Sequence, residues 1–260
     1  MTEHVLIETA DGVLTLTLNR PDKKNALSGE MYEVLAAAVD GAAADPDVRC
    51  ILIQAHGDMF TAGNDLADFA AANRGEAAAG GVGRGGALIT ALARAKTPIV
   101  AAVQGRAVGI GVTMLLHCDL VFIAEDALLT TPFVNLALVP EAASSLLLPA
   151  RVGHARAFSM FVLGEAVSGK QAADWGLANA ALPAGEVQVR ARAAAAAVAA
   201  KPPAAVALTK QLMRDSARYL AQIEAEGAHF GAQLRSPEAK EAFAAFAEKR
   251  QPEFSKKEPA

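Results

Sequence analysis

Three short segments carry residue types that can act together on an acyl carbonyl. Two are bracketed by glycine, Thr61-Ala-Gly-Asn-Asp-Leu66 and Gly105-Arg-Ala-Val-Gly-Ile-Gly111, and a lone glutamate follows at Val139-Pro-Glu141. Glycine lets a backbone approach a ligand where a Cβ would collide. Two main-chain N–H groups can therefore hold a thioester oxygen while a carboxylate takes a proton beside it. Losing one such fixed donor costs roughly 3–4 kcal/mol of transition-state stabilisation.

Other motifs invite chemistry and fail on context. Gly81-Val-Gly-Arg-Gly-Gly86 fits a dinucleotide-binding pattern, but no strong strand precedes it and no ribose-binding acid follows. Gly164-Glu-Ala-Val-Ser-Gly-Lys-Gln171 nearly fits a phosphate loop, yet lacks the hydroxyl that would hold magnesium. His117-Cys118-Asp119 reads as a packed, hydrogen-bonded junction between a buried helix and a strand. Ser144 and Ser145 lack the strand-to-helix elbow of a hydrolase nucleophile. Cys50 and Cys118 have neither metal-ligand nor disulfide-framework spacing, so no metal and a reducing compartment are expected.

The elements around these segments follow from patterning. Val5–Thr9 and Val13–Leu18 alternate around Asp11-Gly12, a hairpin signal. Ser28 can cap a helix running to about Ala43, and Asp45-Pro46 leads into a strand at 49–55. The first glycine loop leaves the carboxyl end of that strand, where α/β proteins place ligands. Taken alone, Ala62-Gly-Asn-Asp65 also reads as an ordinary helix-capping turn. The 70–86 stretch, rich in alanine and glycine, is expected to be a mobile loop or loose helix, with a helix at 87–94. Thr97-Pro98 announces a strand at 99–103, after which the second glycine loop enters a helix at 110–117 whose first amides are free. A strand at 119–123 follows. Beyond Pro140 the signals are almost wholly helical, with helices near 187–200, after Pro202-Pro203, at 219–233 and at 236–249. Strand-to-helix crossovers of this kind indicate α/β architecture.

Composition bounds the rest. An apolar fraction of 53% suffices for a core, while aromatics at 5% imply close packing of small side chains. A net charge of −4 without a basic run disfavours nucleic-acid binding. The most apolar region, 99–124, is broken by Gln104, Arg106, His117 and Asp119, so no membrane span is expected. With no leader pattern and no peroxisomal ending, cytoplasm is the expected location.

The chain resembles the crotonase family, also called the enoyl-CoA hydratase/isomerase family. The resemblance rests on Leu18-Asn-Arg-Pro-Asp-Lys-Lys-Asn-Ala-Leu27, Phe60 to Leu66, Gln104 to Gly111, His117-Cys-Asp119, Phe133 to Ser145 and Gly164 to Leu177. It implies a spiral of β-β-α units over residues 1–195 that binds acyl-CoA. A helical oligomerisation region would cover 196–260, in a trimer or dimer of trimers. It also implies that Asn64 N–H and Ile110 N–H form the oxyanion hole. Lys24, Ala26, Ala62, Asp65, Leu66 and Gly109 would meet the acyl-CoA, which is substrate rather than cofactor.

The acids depart from the family's hydratases, whose two glutamates would fall at Thr113 and Phe133. Glu141 remains, in a segment that resembles Δ3,Δ2-enoyl-CoA isomerases. The resemblance thus implies a single-glutamate shuttle that moves a double bond from 3-enoyl-CoA to 2-enoyl-CoA in acyl-chain degradation. Apolar neighbours at Leu136, Leu138, Val139 and 146–148 should raise the Glu141 pKa by desolvation. The alternatives are an atypical hydratase, a hydrolase or dehalogenase using Glu141 as nucleophile, and a non-catalytic CoA-binding protein.

Overall fold

The structure, a computed structural model, describes residues 3–65 and 81–254, with residues 81–84 described by their backbone alone. The hairpin forms as patterned. β1 (Val5–Ala10) and β2 (Val13–Leu18) pair antiparallel, Ala10 opposite Val13, with Asp11 and Gly12 both at positive φ. That is the backbone that matches the twist of a two-residue hairpin. β2 then runs parallel to β3 (Cys50–Ala55), and the sheet continues in parallel through β4 (Ile99–Val103), β6 (Leu120–Ala124) and β9 (Ala180–Leu182), in the order β1-β2-β3-β4-β6-β9. β3 and β4 are buried along their whole length, because a parallel sheet is covered on both faces.

A second, smaller sheet orders β5 (Arg106–Val108), β7 (Leu128–Thr130) and β8 (Val167–Ser168). Single bridges extend it: Thr61 pairs with Ala107, and Leu27 pairs with Asn64. Each turn of chain therefore gives one strand to the large sheet, one segment to the small one, and then a helix. This is the β-β-α spiral that the resemblance implied, and it stacks the glycine loops side by side.

Helices cover the large sheet. Gly29–Ala42 is capped by Ser28, whose side chain accepts from Met31 N–H, and it buries Met31, Tyr32, Leu35, Ala36 and Val39 at helical spacing. Val187–Ala199 lies across β3, β4 and β6 through Val187, Ala191, Ala194 and Ala195, small side chains that permit close approach. The 195/196 boundary expected between core and C-terminal region falls inside this helix. Pro203–Met213, Ser216–Leu234 and Pro237–Glu248 complete the fold, and Phe230, Leu234 and Lys210 are buried.

Three expectations need revision. The helix expected at 110–117 is α only over Ile110–Thr113 and tightens to a 3₁₀ turn at Met114–His117. The helix expected at 87–94 begins at Gly81, so the last part of the 70–86 stretch takes the helical of its two expected forms; residues 66–80 lie outside the described structure. The region beyond Pro140 also contains β8 and β9, and Ala180-Ala-Leu182 becomes a strand only because β6 offers a free edge.

Candidate functional site

The first loop is fixed by bonds that begin in the Arg20–Leu27 segment. Asn25, fully buried and at φ 53°, donates through Nδ2 to His56 O and Met59 O, while its Oδ1 accepts from Arg20 N. Thr61 Oγ1 donates to Asn25 O and accepts from Gly63 N. Leu27 N–H donates to Gly63 O, and Asp65 N–H donates to Leu27 O. On the other side, Thr61 N–H donates to Arg106 O and Val108 N–H donates to Thr61 O. Gly63 lies so close to β5 that a Cβ there would stand 2.7 Å from Val108 O, and its φ is +88°. The loop is thus clamped against the second glycine segment.

Gly109, at φ 55° and ψ −116°, turns the chain from β5 into Ile110–Thr113. Its own N–H is taken by Thr130 O, and its carbonyl accepts from Val112 and Thr113. Among the described residues neither Asn64 N–H nor Ile110 N–H has an acceptor. Ile110 is buried, and buried main-chain donors are rarely left so. The sequence places both candidate oxyanion donors here, and the structure sets their segments side by side.

Glu141 stands in a turn between the 3₁₀ segment Val134–Leu136 and the helix Ser144–Val152. Its Oε1 accepts from Thr113 Oγ1 at 2.5 Å. Burial pushes the carboxyl up to about 8, with Glu226 adding to the rise and the Thr113 bond opposing it. The residue keeps some accessible surface where it borders a cavity, while the surrounding protein desolvates its carboxyl. Desolvation therefore has the direction expected from its apolar neighbours.

Two concave spaces meet at Asn64. A cavity of about 160 Å³ is lined by Tyr32, Asn64, Ile89, Glu141, Ile223 and Phe230, among others. A groove of about 460 Å³ runs past Lys24, Ala26, Ala62, Asp65, Gly109 and Phe246. Asn64 and Phe230 belong to both. Every site residue expected from the sequence borders one of these spaces except Ile110, buried behind Gly109, and Leu66, which lies outside the described residues. Within the groove, Lys24 pairs with Asp58 at 2.9 Å, and Asp65 pairs with Arg20 at 2.7 Å. Phe133, at the position of a hydratase acid, forms apolar groove wall. Among the described residues no cluster of three or more His, Cys, Asp or Glu could hold a metal ion, and no helix is long and apolar enough to cross a membrane.

Several residues at the site escape sequence reasoning. Thr113 is the hydrogen-bond partner of the Glu141 carboxyl, at the position where the resemblance implied a hydratase acid. Tyr32 Oη donates to Asn64 Oδ1 at 2.5 Å and so ties down the residue that borders both spaces. His117 Nε2 lies 2.8 Å from Ala142 O, and Arg214 Nη2 lies 3.2 Å from Nδ1. Arginine only donates, so Nδ1 must accept and Nε2 carries the proton. Burial lowers the His117 pKa to about 4, which keeps the ring neutral. Lys210 and Asp119 pair beside it at 2.7 Å. The His117–Asp119 junction is thus hydrogen-bonded as the sequence suggests, but its contact with the Glu141 turn has no local signature.

The pattern described as enoyl-CoA hydratase/isomerase matches residues 8–257. A probable enoyl-CoA hydratase of Bacillus subtilis is 36% identical over 245 residues, covering 93% of this chain and 95% of that protein. Enoyl-CoA delta isomerase 2 of Rattus norvegicus is 33% identical over 212 residues, 81% of this chain and 54% of that protein. Among solved structures, an enoyl-CoA hydratase/isomerase from Pseudoalteromonas atlantica T6c superposes with a TM-score of 0.91 at 39% identity, covering 97% of this chain and all of the other.

Proposed function

The chain belongs to the enoyl-CoA hydratase/isomerase family, and from that premise we propose that it converts 3-enoyl-CoA to 2-enoyl-CoA. The CoA portion occupies the groove at Lys24, Ala26, Ala62 and Asp65, and the acyl portion enters the cavity at Glu141. The thioester oxygen sits at their junction, against Asn64 N–H and Ile110 N–H. Glu141 removes a proton from C2; the electron pair of that C–H bond becomes the C1–C2 double bond, and the thioester carbonyl becomes a dienolate oxygen. The carboxylic acid so formed returns the proton to C4, leaving the double bond between C2 and C3. No metal enters the scheme, because main-chain amides stabilise the oxyanion.

The observation that carries this reading is the acid count. Among the described residues lining the two spaces, only Glu141 and Asp65 are carboxylic acids, and Asp65 is tied to Arg20. Hydration needs water activated at C3 as well as a proton for C2, whereas double-bond migration needs one carboxylate in two successive roles. The reading implies a place in acyl-chain degradation, and the family resemblance adds a trimer or dimer of trimers. Parallel assays of 3-hexenoyl-CoA isomerisation and crotonyl-CoA hydration test it: isomerisation should be the faster. Rapid hydration with negligible migration would reject it.

A further inference from the structure

Resting on Glu141 as the base, we propose that Glu226 is a positioning residue. Its carboxylate grips the turn that presents Glu141, from the same helix that walls the acyl cavity. Glu226 is buried and lies on Ser216–Leu234, whose Ile223, Gly227, Phe230 and Gly231 line the cavity. Those positions share one helix face with Glu226. Glu226 itself borders neither the cavity nor the groove, so it acts through the turn and does not touch substrate.

The turn has one main-chain bond across it, from Ser144 N–H to Glu141 O at 3.0 Å, and the rest of what holds it comes from outside. Ala142 and Ala143 are both left-handed, at φ 61° and 55°, a conformation that alanine adopts only when its surroundings enforce it. Ala143 is the N-cap of Ser144–Val152 and has no side chain able to cap that helix. Glu226 supplies the missing acceptor from a distance in sequence. Its Oε2 takes Ala143 N–H at 2.6 Å, and its Oε1 takes Ser145 N–H at 3.0 Å and Ser145 Oγ–H at 2.5 Å. Gln222 Nε2 donates to Ser145 Oγ, which directs that hydroxyl proton to Glu226. From the opposite side, His117 Nε2–H holds Ala142 O. Peptide groups immediately after Glu141 are therefore pinned from two elements, and seating the Ser216–Leu234 helix both closes the cavity and aligns the base.

The charged and polar groups around the Glu141 carboxyl are few. Thr113 reaches it from Ile110–Thr113 and Glu226 bears on it from Ser216–Leu234, while His117 is neutral. Across the cavity, Tyr32 comes from Gly29–Ala42, and the Gly81–Arg94 helix contributes Gly85, Gly86 and Ile89, which bring no charge. Removing the Glu226 charge should therefore lower the pH at which Glu141 ionises.

Full-length Glu226→Ala, Glu226→Gln and Ser145→Ala chains test the proposal. Glu226→Ala should lower kcat about a hundredfold by misaligning the base, with the affinity for product CoA thioester nearly unchanged. Glu226→Gln should lower kcat less and move the acid limb of the pH profile downward. Ser145→Ala, which removes one of the three donors, should have the smallest effect and serves if Glu226→Ala does not fold. The Glu141 carboxyl band, isolated by infrared difference against Glu141→Gln, should titrate at lower pH in Glu226→Gln. That readout needs no turnover, so it decides the clamp even if wild type fails to isomerise 3-enoyl-CoA and the functional reading falls. A folded Glu226→Ala chain with wild-type kcat would overturn the proposal. So would losses matching only the unfolded fraction, with the acid limb and the carboxyl band unmoved.

Discussion

In the proposed reaction the two glycine loops and the turn that carries Glu141 act on the same substrate, and they are built in opposite ways. Loops 61–65 and 105–111 would work through main-chain donors, and their geometry is set by nearby glycines and by strand bridges to Leu27 and Ala107. The turn at 141–145 would work through one side chain, and what holds it comes largely from Thr113, His117 and Glu226, far away in sequence. A donor fixed by backbone is local and leaves a glycine signature. An acid whose basicity depends on burial is tertiary, and its neighbours leave none.

Predictions follow the same division. The largest effect belongs to the base: Glu141→Gln should lower isomerisation by about 10³–10⁴-fold with CoA binding retained, as steady-state kinetics and calorimetry would read. A variant within tenfold of wild type would move the chemistry away from the turn. On the backbone side, Gly63→Ala forces a side chain at φ +88° against Val108 O. It should lower kcat about a hundredfold or more by displacing the Asn64 amide, and thermal unfolding should show lost stability as well. If the drop appears only in stability, the loop is scaffold and not oxyanion hole.

Smaller changes sharpen the contrast. The free enzyme's kcat/KM should rise with pH and level above about 8, where Glu141 becomes ionised. Thr113→Val removes the bond that favours the charged form, so the limb should move up by about one unit. Because the folded-state pKa of Glu141 is raised, its contribution to stability is fully present below the ordinary carboxylate range and is lost as pH rises through about 8. Glu141→Gln should accordingly gain melting temperature over wild type between acid and pH 9; a constant difference would argue against a desolvated carboxyl. Tyr32→Phe, which releases Asn64 Oδ1, should cost least, about a fewfold in kcat.

The sequence exposes the site in proportion to how local its physics is. Asp11-Gly12, Ser28 and the glycine loops state their conformations in their own residue types, and the structure follows them. Burial of Glu141 was legible from Leu136, Leu138 and Val139. Thr113 was visible only as a missing acid, although its hydroxyl bonds the base. Glu226 lies in a helix whose apolar spacing explains its packing, and nothing within that helix announces what the carboxylate grips. Ala180–Leu182 was missed for the same reason, since the edge of β6 makes it a strand.

The single-base claim is tested most directly by following the hydrogen itself. With 3-hexenoyl-CoA carrying deuterium at C2, a first-turnover analysis should find part of that deuterium at C4 of the 2-enoyl product, transferred by Glu141. Product whose C4 carries only solvent hydrogen from the first turnover would contradict the account, because the hydrogen taken from C2 would then not be the one returned to C4.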